Sequence, residues 1–279
     1  MDESMLKPIT ISDTVRLCVL DNHAYDRQPM LFLHGLTGNH LQLQHYIKHF
    51  SNRYRTISVD FRGRGNSGHP ESQSSLTEHA KDIMNLIDVL ELKNVICVGY
   101  SMGAFVASIV AQHPKVSKLV LLDGMATMDD HQDAIVSPTF ARLSNRYESR
   151  QEYIDLVSAN YAKMGIPLTS DLIKVLSYEI YESVDGWKNK AFEETIRQDW
   201  ASFYQFDVSK TAESIHVPCL LVQALGSIGS NPALFLERHY VSTNQSIPNL
   251  RVYQTDASHY TLVFTKRDDV LNKMEEFLK

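Results

Sequence analysis

Asn94 to Ala107 reads NVICVGYSMGAFVA, which sets Ser101 between Gly99 and Gly103 where an apolar, β-branched run gives way to small helix-forming residues. A serine hydroxyl attacks poorly at neutral pH, so a serine that does chemistry must be exposed and given a base. A sharp strand-to-helix turn does the exposing: Oγ projects above the sheet, and the flanking positions stay small because other chain crowds them. The ordinary alternative for this spacing is a serine capping a helix, with glycine allowing close packing. Val95 to Val98 before the serine and Ala104 to Gln112 after it supply the context that favours a nucleophile. Other candidate chemistry is sparse. His45 and His49 stand four apart on a helical stretch but are joined by no carboxylate or cysteine, so no metal site is expected, and no cofactor. Cys18, Cys97 and Cys219 each fall in a β-like apolar stretch without ligand spacing and read as buried, reduced thiols.

The elements that must hold such a serine are legible in the pattern. Met30 to His34, Tyr54 to Asp60, Asn94 to Tyr100 and Lys118 to Asp123 are short apolar runs separated by helical periods such as Leu76 to Leu92. A parallel sheet covered on both faces requires that alternation. It stops near Ala126, and until about His216 no convincing strand is visible, only helical stretches. Strand signals return at Pro218 to Ala224 and Leu250 to Thr255, followed by a closing helix from Asp268 to Leu278. The expected organisation is an α/β core of residues 1–125 and 217–279 with an all-helical lid inserted at 126–216, over the strand ends where open α/β sheets bind ligands. The 279 residues, 43% hydrophobic and 22% charged, suit a soluble globular enzyme. A net charge of −6 with scattered Lys and Arg leaves no footprint for nucleic acid or an anionic membrane. No apolar run approaches the length of a membrane span. The opening MDESMLKPIT lacks the basic and apolar regions of a signal peptide, so a cytoplasmic location is expected, as monomer or homodimer acting on a small molecule.

Four motifs in order resemble the α/β-hydrolase family over nearly the whole chain. His34-Gly35-Leu36 follows the third strand, and Asp60-Phe61-Arg62-Gly63-Arg64-Gly65-Asn66-Ser67 follows the fourth. Gly99 to Gly103 is the nucleophile elbow, and Asp256-Ala257-Ser258-His259 follows the last strand. The resemblance implies a mostly parallel eight-stranded sheet, Ser101 as nucleophile and His259 as its base. It also implies an oxyanion hole from the main-chain N–H groups of Leu36 and Met102, with Gly35 letting that loop approach substrate. His34 is expected to shape its loop.

The acid departs from the family's commonest pattern. Its usual place after the seventh strand falls on Ser227, and no carboxylate follows until Glu237. Some members take the acid from the sixth strand, which here ends in Asp123, so Asp123 is the expected third catalytic residue. A turn-capping role remains the alternative for Asp123, and Asp256 is the next candidate acid. Trp187 and Trp200 lead a set of lid aromatics that could line an apolar pocket. Arg142, Arg146 and Arg150 share a helical face and form either a solvated stripe or a clamp for a substrate carboxylate. The expected activity is hydrolysis of an ester or lactone of a small to mid-sized, partly apolar substrate. The alternatives are carbon–carbon bond hydrolysis of a meta-cleavage-type diketone and a ligand-binding protein without catalysis.

Overall fold

The computed structural model describes residues 5–69 and 73–279. Strands β1 (Leu6–Thr10), β2 (Arg16–Asp21), β3 (Pro29–Leu33), β4 (Arg55–Asp60), β5 (Val95–Tyr100) and β6 (Val116–Leu122) come first. The chain then leaves the sheet for a segment carrying β7 (Arg146–Tyr147), β8 (Ile180–Ser183) and β9 (Gly186–Asn189), and returns as β10 (Cys219–Gly226) and β11 (Leu250–Ser258). The eight-stranded sheet has the order β1-β2-β4-β3-β5-β6-β10-β11. Only β2 runs antiparallel to its neighbours; from β4 to β11 every pairing is parallel.

Alternation along each central strand divides the core in two. Leu31, Leu33, Cys97, Leu119 and Leu121 face α2 (Leu76–Val89) and α3 (Met102–Val110). Met30, Phe32, Ile96, Val98, Val120 and Leu122 face α1 (Gln44–Phe50) and the helix Asp268–Leu278. Because both faces are covered, β3 and β5 contain no exposed residue, which is why they read as unbroken apolar runs. The side chain of Ser75 starts α2 by accepting the N–H of Glu78 at 3.2 Å. From there Leu76, Ala80, Ile83, Leu86 and Ile87 follow the helical period inward.

Between β6 and β10 lie α4 (Asp130–Val136), α5 (Ala141–Ser144), α6 (Arg150–Lys163), α7 (Ser170–Tyr178), α8 (Glu193–Phe203) and α9 (Val208–Glu213). This insertion is not all-helical: β7, β9 and β8 form a small antiparallel sheet. The helical reading of SYEIYESV fails because α7 ends at Tyr178, and a two-residue Val184-Asp185 turn into Gly186 (φ 110°) folds Ile180–Ser183 back on Gly186–Asn189. The long helix expected through Arg142, Arg146 and Arg150 is broken as well. Asn145 is extended (ψ 151°), Arg146 pairs with Lys188, and Ser149 caps a new helix by accepting the N–H of Glu152. The three arginines therefore share no helical face. Among the described residues, no helix is long and apolar enough to cross a membrane.

Candidate active site

Ser101 stands at the junction of β5 and α3 with φ 52° and ψ −121°, a left-handed conformation rare for a residue with a side chain. Its neighbours explain why only glycine fits beside it. A Cβ on Gly103 would sit 2.1 Å from the carbonyl oxygen of Leu33, and one on Gly99 would sit 2.1 Å from the carbonyl oxygen of Gly103. Helix α3 is thus seated against β3 at backbone contact, and the turn has nowhere to relax. Its Ser101 N–H is tied to the Leu122 carbonyl at 3.0 Å, fixing the elbow to the end of β6.

His259 follows β11 and turns its ring toward that elbow. Nε2 lies 3.1 Å from Ser101 Oγ, while Nδ1 lies 2.7 Å from Asp123 Oδ2. A carboxylate accepts only, so the proton sits on Nδ1 and Nε2 keeps a lone pair facing the serine hydroxyl. The ring lies tilted over Tyr100, centroids 4.8 Å apart, and the Tyr100 hydroxyl donates to the His259 carbonyl at 2.9 Å. Asp123 is fully buried and left-handed at φ 47°. Its second oxygen accepts the Ala224 N–H at 2.9 Å and the Tyr240 hydroxyl at 2.8 Å. Both carboxylate oxygens are engaged, which holds the charge in place without a cation.

Around Ser101 closes a cavity of about 60 Å³ lined by Gly35, Leu36, Gln132, Trp200, Phe235 and Tyr260 among others. Among the described residues, neither the Leu36 N–H nor the Met102 N–H, first in α3, is taken up by a protein acceptor. Gly35 gives its N–H to Gln42 Oε1 at 2.8 Å, and Gln42 itself is buried in the wall. Thr37, Gln42, Thr139 and Tyr260 are shared with a larger outer cavity of about 570 Å³, which Arg142 and Lys163 also line.

The other sequence expectations are placed as follows. His34 donates from Nδ1 to the Gly35 carbonyl at 2.6 Å and accepts the Phe61 N–H on Nε2 at 3.1 Å, so it holds two loops. Burial pushes its pKa down to about 3, against the Gly35 hydrogen bond. Trp200 lines the cavity and donates to Asp133 at 2.9 Å. Trp187 does not reach it: on β9 its ring packs beneath the Arg150 guanidinium, 4.7 Å away, on an outer surface of the insertion. Ser227 is exposed, and Asp256, 90% exposed, pairs with Arg267. His49 meets Glu275 at 2.6 Å. Sequence reasoning missed Tyr240, Gln42 and Tyr100 as supports of the site. Tyr100 had a signal in its position beside Ser101; Tyr240 and Gln42 come from distant segments and had none.

Residues 28–264 match the family model for the alpha/beta hydrolase fold. The chain belongs to the α/β-hydrolase family. Among curated proteins this α/β hydrolase is 28% identical over 235 residues to 2-(acetamidomethylene)succinate hydrolase of Mesorhizobium japonicum, covering 83% of this chain and 81% of the relative. A solved structure of E-2-(acetamidomethylene)succinate hydrolase superposes with a TM-score of 0.86 at 23% identity over 98% of both chains. The enol-lactonase of Burkholderia xenovorans shares the fold at a TM-score of 0.71 and 15% identity, covering 96% of this chain and 98% of its own.

Proposed function

We propose that this α/β hydrolase is a serine hydrolase that transfers a small acyl group from an ester or lactone to Ser101 and then to water. The observation that carries the reading is the unbroken chain from Ser101 Oγ through His259 to Asp123, at 3.1 and 2.7 Å. His259 Nε2 takes the hydroxyl proton as Oγ attacks the acyl carbon, and Asp123 offsets the charge gained by the imidazole. The N–H groups of Leu36 and Met102 receive the oxyanion. His259 then delivers its proton to the leaving group and activates the water that frees the acid.

The two cavities suggest which part of the substrate goes where. About 60 Å³ beside Ser101 suits a small acyl group, and about 570 Å³ outside it suits the remainder. Arg142 and Lys163 line that outer space and no carboxylate side chain does. Arg142 is backed by the buried Glu179, 3.6 Å from its Nη1, and reaches the Thr37 hydroxyl with Nη2. A remainder bearing a carboxylate fits it, and Arg142 is the residue assigned to hold it. The acid in the name of the Mesorhizobium relative agrees with that choice. Its acetamido group favours a second reading, the same machinery acting on an amide, with His259 protonating a leaving nitrogen.

A fluorophosphonate probe should form its adduct on Ser101, and Ser101→Ala should lose both adduct and turnover. Among acetyl esters of matched size, those with a carboxylate on the alcohol side should show lower KM than neutral ones. Arg142→Leu should reduce that preference by about 10-fold or more, the value of a charge-assisted hydrogen bond. Adduct formation on another residue in Ser101→Ala would reject the nucleophile. Absence of both adduct and turnover across esters, lactones, amides and diketones would favour a ligand-binding protein.

A further inference from the structure

Arg64 is the largest fully buried side chain among the described residues and stands between Gly63 and Gly65 of its turn motif. Its guanidinium is used on every side. Nε donates to the Leu36 carbonyl at 3.0 Å, Nη1 donates to the Arg62 carbonyl at 3.0 Å, and Nη2 lies 2.5 Å from Asp199 Oδ2. The same Nη2 stands 3.9 Å from Met102 Sδ. One planar group thus touches both residues whose N–H groups are assigned to the oxyanion hole. Asp199 comes from α8 in the insertion, beside Trp200, and also receives His79 Nε2 at 2.9 Å.

A buried ion pair is seldom the most stabilising occupant of a core; apolar side chains of similar volume do as well or better. What it supplies is direction. A guanidinium fixed in plane by a carboxylate can orient a main-chain carbonyl, and orienting the Leu36 carbonyl constrains the turn that presents the Leu36 N–H. We propose that Arg64 is a positioning residue that couples the seating of α8, through Asp199, to the geometry of the oxyanion hole. This rests on the serine-hydrolase reading above. Ser101, His259 and Asp123 lie in the core, and docking of α8 completes the site by aligning the donors.

The test compares wild-type protein with Arg64→Lys, Asp199→Asn and the double variant Arg64→Met/Asp199→Leu. Kinetics on an acetyl ester, thermal melting and amide hydrogen exchange are measured for each. Each variant should lose about 100-fold in kcat while KM changes by less than about threefold, because a small misplacement weakens transition-state contacts more than ground-state binding. The double variant removes both charges but leaves the Leu36 and Arg62 carbonyls and His79 Nε2 without these partners, so it should melt lower than wild type. At a temperature where it is fully folded it should still show the same kcat loss, which a purely stabilising pair would not produce. In Asp199→Asn, exchange should rise in α8 and also at residues 34–39. A double variant with wild-type kcat overturns the proposal, as does faster exchange confined to α8. If wild-type protein takes no phosphonate on Ser101, the hydrolase reading fails on that result, while the exchange data still decide whether α8 and the loop are coupled.

Discussion

Asp123 follows β6 with a turn of the backbone and a carboxylate facing His259. It turns the chain, with φ 47° at its own residue and φ 60° at Met125, and its carboxylate also reaches His259 Nδ1 at 2.7 Å. Burial removes competing water, while the Ala224 N–H and the Tyr240 hydroxyl hold the oxygen that His259 does not use. Asp123→Asn would keep those neighbours' volume but present an amide that can favour the wrong imidazole tautomer and cannot stabilise an imidazolium. Turnover should fall by about 10⁴-fold with substrate binding largely kept, as for the equivalent change in a serine protease triad. Asp256→Asn should leave turnover within about twofold of wild type, since an exposed surface pair contributes little. Steady-state kinetics on both variants check this, and a near-normal Asp123→Asn enzyme would leave Asp123 as a turn residue only.

At the scale of elements, the elbow depends on backbone meeting backbone. Gly103→Ala would push a methyl group to within 2.1 Å of the Leu33 carbonyl oxygen, where neither β3 nor α3 can yield without opening the sheet. The expected cost is above about 3 kcal/mol, visible as a lowered urea midpoint or as insoluble protein; an unchanged midpoint would mean that α3 can slide. This part of the fold was legible beforehand because it is built from local rules: strands buried on both faces, glycines flanking a serine, a helix of small residues. The insertion was not. Ile180 and Tyr181 can continue a helix as readily as enter a hairpin, and the choice between them lies in the short Val184-Asp185 turn before Gly186. Trp187 and Trp200 look alike in sequence, yet one packs on an outer ribbon and the other on the cavity, because β9 carries the first and α8 the second. Of the three arginines expected on one face, Arg142 alone lines the outer cavity, because the helix carrying it stops at Ser144.

For the whole molecule, His34 and Asp60 are two of the buried groups that contribute to the response to acid. His34 ordinarily titrates near 6.5, but burial holds it down to about 3 in the folded chain, where protonating Nε2 would expel the Phe61 N–H. The unfolded chain therefore binds a proton first. The stabilisation is complete above pH 6.5 and is lost as pH falls toward 3, at up to about 1.4 kcal/mol per pH unit. Burial alone would raise the pKa of Asp60, yet His40, Tyr178 and the Asn66 N–H bring it down from 3.8 to about 2. Its contribution is present above 3.8 and disappears as pH falls through 2. Urea unfolding should show stability declining from pH 6 to 4, with a smaller slope in His34→Gln; a flat profile would refute the assignment. The same Asp60 also accepts the hydroxyl of Tyr178, from α7, at 2.6 Å. Lys48 meets Asp171 at 2.7 Å, Thr37 meets Arg142 at 3.0 Å, and Arg64 meets Asp199 at 2.5 Å. A greasy seam tolerates sliding, whereas one stitched by directional polar bonds has a single registration. Recombination that swaps this insertion for a homologue's would strand the buried charges of Asp60 and Arg64 on the receiving side unless both halves of each stitch travel together.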